Sequence, residues 1–168
     1  ASAPHAVLPP IALGVSADMV VEGVAGPIDV LVLLAAAMAV VFADGLRRVL
    51  CLGAHCDDVE IGCGGTLAEL GRRFPGARFQ WVVLSADDDR ERETREAAAR
   101  LHGPGTSYAV EVARFRGSYF PFCGGEIKDY FESLKARSNP DLILTHRLED
   151  RHQDHRVVAE LTWNTFRR

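Results

Sequence analysis

The chain has 168 residues, a formal net charge of -4, 48% hydrophobic residues and 25% charged residues. That is the size of one domain and enough chain to bury a core, and with no basic stripe it carries no electrostatic footprint for nucleic acid. The four cysteines, at 51, 56, 63 and 123, form no CxxC pair, which excludes a disulfide framework and suits reduced thiols in a cytoplasmic protein.

Residues 1–45 form an apolar leader or an extra helix without an assigned function. Within them Val30 to Ala43 is uncharged and strongly apolar. It is short of the roughly twenty residues a spanning helix needs, and it lacks the preceding basic residues of a secretory signal, so there is no clear membrane segment. His5 carries no signal. From about residue 46 the pattern becomes regular. Arg48 to Gly53 reads as a buried parallel strand ending in a turn. A helix is expected over Thr66 to Phe74, with Leu67, Leu70 and Phe74 at helical spacing. Phe79 to Ser85 is a second strand, rich in aromatic and β-branched residues. Arg90 to Leu101 is a charged helix stopped by Gly103-Pro104-Gly105, and a strand lies between Tyr108 and Phe115. Glu126 to Arg137 is helical, with Ile127, Phe131 and Leu134 on one face, and Asn139-Pro140 ends it. Asp141 to Thr145 is the next strand. A last helix starts near His155 or Arg156 and carries Val158, Leu161 and Thr165 on one side. Strands alternating with helices imply an α/β, Rossmann-like, mostly parallel sheet with helices on both faces.

Two clusters carry chemistry. The first, Ala54-His55-Cys56-Asp57-Asp58-Val59-Glu60, leaves the first strand and runs into Gly62-Cys63-Gly64-Gly65-Thr66. The glycines are expected to form a tight turn beneath a metal site, with a phosphate loop as the alternative. The second runs from His146 to His155, after a later strand. Ligands of open α/β sheets bind outside the carboxyl ends of the strands, where both clusters fall. Two histidines and a carboxylate suit a catalytic zinc with an open water position, although the same set also binds Fe(II). An adjacent carboxylate is placed to take a proton from water and a further histidine to stabilise an oxyanion. His146 is expected to be a supporting residue, and His102 a surface residue at a helix end. Asp150 is unassigned, free to cap or to pair with Arg147 or Arg151. Asp87-Asp88-Asp89 reads as a solvated helix cap.

On these residues the chain resembles the PIG-L/LmbE-like zinc N-deacetylases. Their first signature, AHPDDE before a glycine pair, corresponds to Ala54-His55-Cys56-Asp57-Asp58-Val59-Glu60 with Gly64-Gly65; the second, HPDH, corresponds to His152-Gln153-Asp154-His155. Cys56 stands where proline is commonest, and Val59 precedes Glu60 as an insertion. The resemblance spans about residues 46–168. It implies that His55, Asp58 and His155 bind Zn2+ (or another divalent metal), that Asp57 is the general base, that His152 is the electrostatic partner or acid, and that Asp154 tunes and orients His152. Arg90 looks like the family's substrate-facing arginine. The implied activity is removal of an acetyl group from a small-molecule N-acetyl amino sugar or glycoconjugate. Family members generally continue beyond the second motif, so the domain is expected to be incomplete at Arg168. An inactive metal-binding domain and a non-heme Fe(II) enzyme stay open as alternatives.

Overall fold

The computed structural model describes residues 11–14 and 45–167. In chain order the elements are β1 (Ile11–Gly14), β2 (Arg48–Gly53), α1 (Asp58–Arg73), β3 (Arg78–Val83), α2 (Asp88–His102), β4 (Ser107–Val112), a 3-10 turn (Phe120–Phe122), α3 (Gly124–Ser138), β5 (Leu142–Thr145) and α4 (Gln153–Phe166). The strands form one parallel sheet in the order β1-β5-β2-β3-β4. The α/β architecture with helices on both faces is the one the strand–helix alternation implies.

The reason lies in the alternation of side chains along β2 and β3. Val49, Cys51, Phe79 and Trp81 point to one face, where Leu67 and Leu70 of α1 and Ala98 of α2 cover them. Leu50, Leu52, Val82 and Ile143 point to the other face, under Ile127, Phe131 and Leu134 of α3 and Val158 and Phe166 of α4. Strands buried on both sides need the near-continuous apolar runs seen here. Local chemistry fixes the helix ends. Asp87 caps α2, its carboxylate accepting from the Arg90 backbone N–H at 2.9 Å, which makes the acidic run a helix cap. Gly103 (φ 65°) and Asn139 (φ 40°) close α2 and α3 in the left-handed region.

Several expectations need correction. The first helix begins at Asp58, not Thr66, so Gly62, Gly64 and Gly65 are helical residues and no turn or phosphate loop forms there. Gly64 faces α2, where an added Cβ would meet Leu101 Cδ1 at 3.4 Å; this glycine serves helix–helix packing. The last helix begins at Gln153, ahead of the expected start near His155 or Arg156, which places His155 within its first turn. His102 is buried, not at the surface: its Nε2 accepts the Trp81 indole N–H at 2.9 Å, and its ring stacks on Tyr108. Burial lowers its pKa. The strand β1, paired with β5 from Ile11↔Leu142 to Gly14↔Thr145, had no counterpart in the sequence reading. The apolar run Val30–Ala43 and His5 lie outside the described residues. Among the described residues no helix is long and apolar enough to cross a membrane.

β2 is the reversal point of the sheet. From it the chain moves outward through β3 and β4, then returns to place β5 on its other side. The loops after β2 and β5 therefore flank the crevice where ligands of open α/β sheets bind.

Candidate metal centre

His55 follows β2 and Asp58 opens α1; the Asp58 Oδ2 accepts the His55 backbone N–H at 2.7 Å, which ties the side chain to the turn. His146 follows β5, and His152 and His155 start α4. His55 Nδ1 lies 3.2 Å from His155 Nε2 and 3.6 Å from Asp58 Oδ2, and His155 Nε2 lies 3.3 Å from Asp58 Oδ1. Residues a hundred positions apart thus converge on one point.

Those separations suit a metal. Ligands at zinc distances of about 2.0–2.1 Å around a tetrahedral centre stand about 3.4 Å from one another. Each histidine also turns its second nitrogen toward a carboxylate. His55 Nε2 is 3.1 Å from Asp154 Oδ2, and His155 Nδ1 is 3.2 Å from Asp150 Oδ2, the latter an ion pair without hydrogen-bond alignment. Carboxylates behind ligand imidazoles fix ring orientation and tautomer. Two overlapping groups have donor atoms within 4.8 Å of one another and could hold a metal ion: His55 with His152 and His155, and Asp58 with His146 and His155.

His146 Nε2 lies 3.0 Å from the Ala54 backbone nitrogen and 3.2 Å from Asp58 Oδ2. One ring nitrogen cannot accept from the first and donate to the second, so its tautomer selects the bond. The ring stacks on His155 with centroids 3.9 Å apart. Asp154 is fully buried; Oδ2 accepts the Ser118 backbone N–H at 2.5 Å, and Oδ1 that of Phe120 at 3.2 Å. Its carboxylate faces His55, while its backbone N–H donates to His152 Nδ1 at 3.2 Å and makes that histidine the cap of α4.

The electrostatics follow from this packing. Burial pushes the Asp58 carboxyl up, but its contacts with His146, His155 and His55 outweigh that and hold it far below the usual carboxylate range. His55 is raised, chiefly by Asp58. Burial lowers His155, but Asp58 and Asp150 outweigh it and raise the group. His152 is lowered, by burial first and then by the positive rings of His55 and His155.

Asp57 is exposed at the N-cap of α1, with no side-chain capping bond, and lines a cavity of about 390 Å³ together with Asp58, Ile61, His146, Asp150 and His155. Arg90 stands outside that cavity's lining, exposed in the first turn of α2, its Nη1 3.6 Å from Cys56 Sγ. The structure therefore gathers His55, Asp58, His152, Asp154 and His155, sets Asp57 beside them, and holds Arg90 at the edge of the group, against Cys56 and within electrostatic reach of Asp57. Sequence reasoning left Asp150 unassigned, although a carboxylate five residues before a candidate ligand histidine was a usable signal. It had no means of finding the Ser118 and Phe120 N–H groups, because every residue but proline has one.

A family model described as "PIG-L: GlcNAc-PI de-N-acetylase" matches residues 50–166. The uncharacterized deacetylase YaiS of Escherichia coli K12 is 26% identical over 133 residues, covering 70% of this chain and 67% of the relative. Among solved structures, N,N'-diacetylchitobiose deacetylase from Pyrococcus horikoshii superimposes with a TM-score of 0.58 at 20% identity, over 86% of this chain and 60% of its own. GalB, the 4-carboxy-2-hydroxymuconate hydratase from Pseudomonas putida KT2440, gives 0.57 at 21% identity, over 71% and 55%. The chain thus spans little more than half the length of these two structures. At such identities the likeness shows the fold alone, and that fold carries both a deacetylase and a hydratase. Chemistry has to be argued from the site.

Proposed function

The chain belongs to the GlcNAc-PI de-N-acetylase (PIG-L) family, and from that premise we propose that it is a zinc-dependent hydrolase removing the acetyl group from an N-acetylated amino sugar or its conjugate. The observation that carries this reading is the convergence of His55 Nδ1, His155 Nε2 and the Asp58 carboxylate at 3.2–3.6 Å, with a carboxylate behind each imidazole.

His55, Asp58 and His155 would hold the metal, which supplies Lewis acidity that brings the pKa of water to roughly 7. Asp57 accepts the proton of the attacking water at its carboxylate. The adjacent Asp58 is committed to the histidines, which leaves Asp57, exposed and unbonded at the helix start, free for proton transfer. The His152 ring packs against His55 and His155, with centroids 4.6 and 4.7 Å away, and its Nδ1 is occupied by the Asp154 backbone N–H. Its Nε2–H is therefore the group left to donate a hydrogen bond to the oxyanion, and the proton that Asp57 takes from the water is the one passed to the leaving amine as acetate departs. The family resemblance alone assigns Arg90 to the sugar, since its guanidinium rests on Cys56 outside the cavity's lining. Removing its charge should weaken substrate binding and leave metal content intact.

The test is a panel of N-acetyl sugars assayed for free amine, with and without a chelator, on the wild type and Asp57→Asn. Loss of a positioned general base should lower the rate by about 10²–10⁴ with zinc content unchanged. Wild-type deacetylation by Asp57→Asn refutes the base assignment. Tight zinc binding without acetate release from any member of the panel refutes the activity and favours a domain that only binds metal; iron in the purified protein, with oxygen consumption, favours an Fe(II) enzyme.

A further inference from the structure

The segment between β4 and the 3-10 turn has unusual backbone features beside the metal centre. Arg114 (φ 62°) and Ser118 (φ 66°) both occupy the left-handed region without being glycine. Conformations of that kind persist only where surrounding contacts impose them. At Ser118 the contact is visible: its N–H is 2.5 Å from Asp154 Oδ2, and the Phe120 N–H holds the other oxygen of the same buried carboxylate. The Gln153 side chain also donates to the Ser118 carbonyl at 2.5 Å. Between them runs Gly117, where an added Cβ would lie 2.7 Å from Ser85 Oγ, 3.6 Å from Ser85 Cβ and 3.8 Å from His55 Cδ2.

These contacts form a chain that ends on the candidate ligand. Two backbone N–H groups fix both oxygens of Asp154, and Oδ2 in turn faces His55 Nε2 at 3.1 Å. An imidazole whose Nε2–H donates to a carboxylate carries its lone pair on Nδ1, the nitrogen that points to His155 and Asp58. Gly117 allows the loop to lie close enough to close the contact, since a side chain there would meet Ser85 and the His55 ring edge.

We propose that the 116–120 segment is a backbone clamp for the metal centre, with Gly117 and Ser118 as positioning residues: their backbone sets Asp154, and Asp154 sets the tautomer and orientation of His55. This rests on the reading of His55 as a metal ligand. The effect of the clamp is carried through Asp154, so its signature is metal affinity rather than fold.

The experiment is zinc affinity by chelator competition on purified folded protein, with thermal unfolding of the metal-free form measured alongside. Gly117→Val should push the loop from Ser85 and His55 and weaken zinc binding by about 10–100-fold, the loss typical when the group behind a ligand histidine is displaced. Gly117→Ala should show a smaller loss that Ser85→Ala restores, because that second change removes the Oγ at 2.7 Å; Ser85→Ala alone should bind zinc as the wild type does. If Gly117→Val does not fold, the Gly117→Ala and Ser85→Ala set decides. A lower unfolding midpoint with wild-type zinc affinity would show a purely structural loop and overturn the clamp. A wild type that binds no divalent metal refutes the proposed function itself and takes the clamp with it, whereas wild-type binding with insensitive Gly117 variants overturns the clamp alone.

Discussion

The glycines of α1 give a prediction whose sign separates two readings of one motif. As a turn beneath the metal, Gly62 and Gly65 would require left-handed backbone or close approach, and alanine there would destabilise. The structure instead places both in the interior of a 16-residue helix, where an added Cβ meets nothing within 4 Å. Glycine in a helix interior costs about 1 kcal/mol relative to alanine, mostly through the freedom it loses on folding. Gly62→Ala with Gly65→Ala should therefore stabilise by about 2 kcal/mol. At about 2–4 °C per kcal/mol for a chain of this size, the unfolding midpoint should rise by about 4–8 °C. Gly64→Ala should gain less, because its Cβ would stand 3.4 Å from Leu101 Cδ1, and Gly64→Val should cost about 1–3 kcal/mol through overpacking against α2. Thermal and urea unfolding of the metal-free protein measure all three variants. A destabilised Gly62→Ala/Gly65→Ala pair would refute the helical placement of the motif.

Two further predictions turn on pH. Zinc must displace protons from His55 and His155, both raised above 6.5 by their carboxylate partners, so zinc affinity should fall as pH drops below those raised values. In the metal-free protein the same imidazoles contribute stability below about pH 6.5 that is lost as pH rises through their folded values, while the lowered Asp58 contributes stability above about pH 3.8 that is lost as pH falls. The midpoint gain on adding zinc should thus grow from about pH 5.5 to 8, and a gain independent of pH would contradict the ligand set. His102 has the opposite sign: its pKa is lowered by burial, so the unfolded chain binds its proton more readily and wild-type stability is penalised as pH falls below about 6.5. His102→Phe should lose less stability than the wild type between pH 7 and 5 by urea unfolding, and an identical pH dependence would show that His102 is not held neutral.

Most of the fold was legible because burial leaves a compositional trace. The β2 run Val49-Leu50-Cys51-Leu52 and the β3 run Phe79 to Val83 are apolar at every or nearly every position, which only a strand covered on both faces requires. The spacing of Ile127, Phe131 and Leu134 marks α3 because three side chains at helical intervals enter one core cluster. The misreadings have equally physical causes. Three glycines in four residues lower helix propensity by about 3 kcal/mol, so local preference argued for a turn. The packing of Val59, Leu67 and Leu70 against the sheet outweighed it. His102 looked like a helix-end surface residue because sequence shows neither the Trp81 indole waiting for an acceptor nor the Tyr108 ring beside it. The strand β1 lacked a signal because its four residues stand within 1–45, with no regular strand–helix alternation to frame them, whereas the equally short β5 follows a helix ended by Asn139-Pro140.

The site divides along the same line, between groups that sequence advertises and groups it cannot. His55, Asp58, His152 and His155 are chemically conspicuous, and the topology needs only β2 beside β5 to bring them together. The parts that hold them are inconspicuous. Asp150 is one carboxylate among many until His155 Nδ1 is seen 3.2 Å away. The expected partnership of Asp154 with His152 runs through the backbone, while the carboxylate turns to His55. The groups that aim that carboxylate are two peptide N–H groups and the absence of a side chain at Gly117. A ligand's identity can be read from its residue type, whereas its orientation depends on backbone donors available at almost every position, so only three-dimensional placement singles them out. A variant at Gly117 that weakens zinc binding would accordingly locate part of the metal centre's affinity in a loop where neither motif falls.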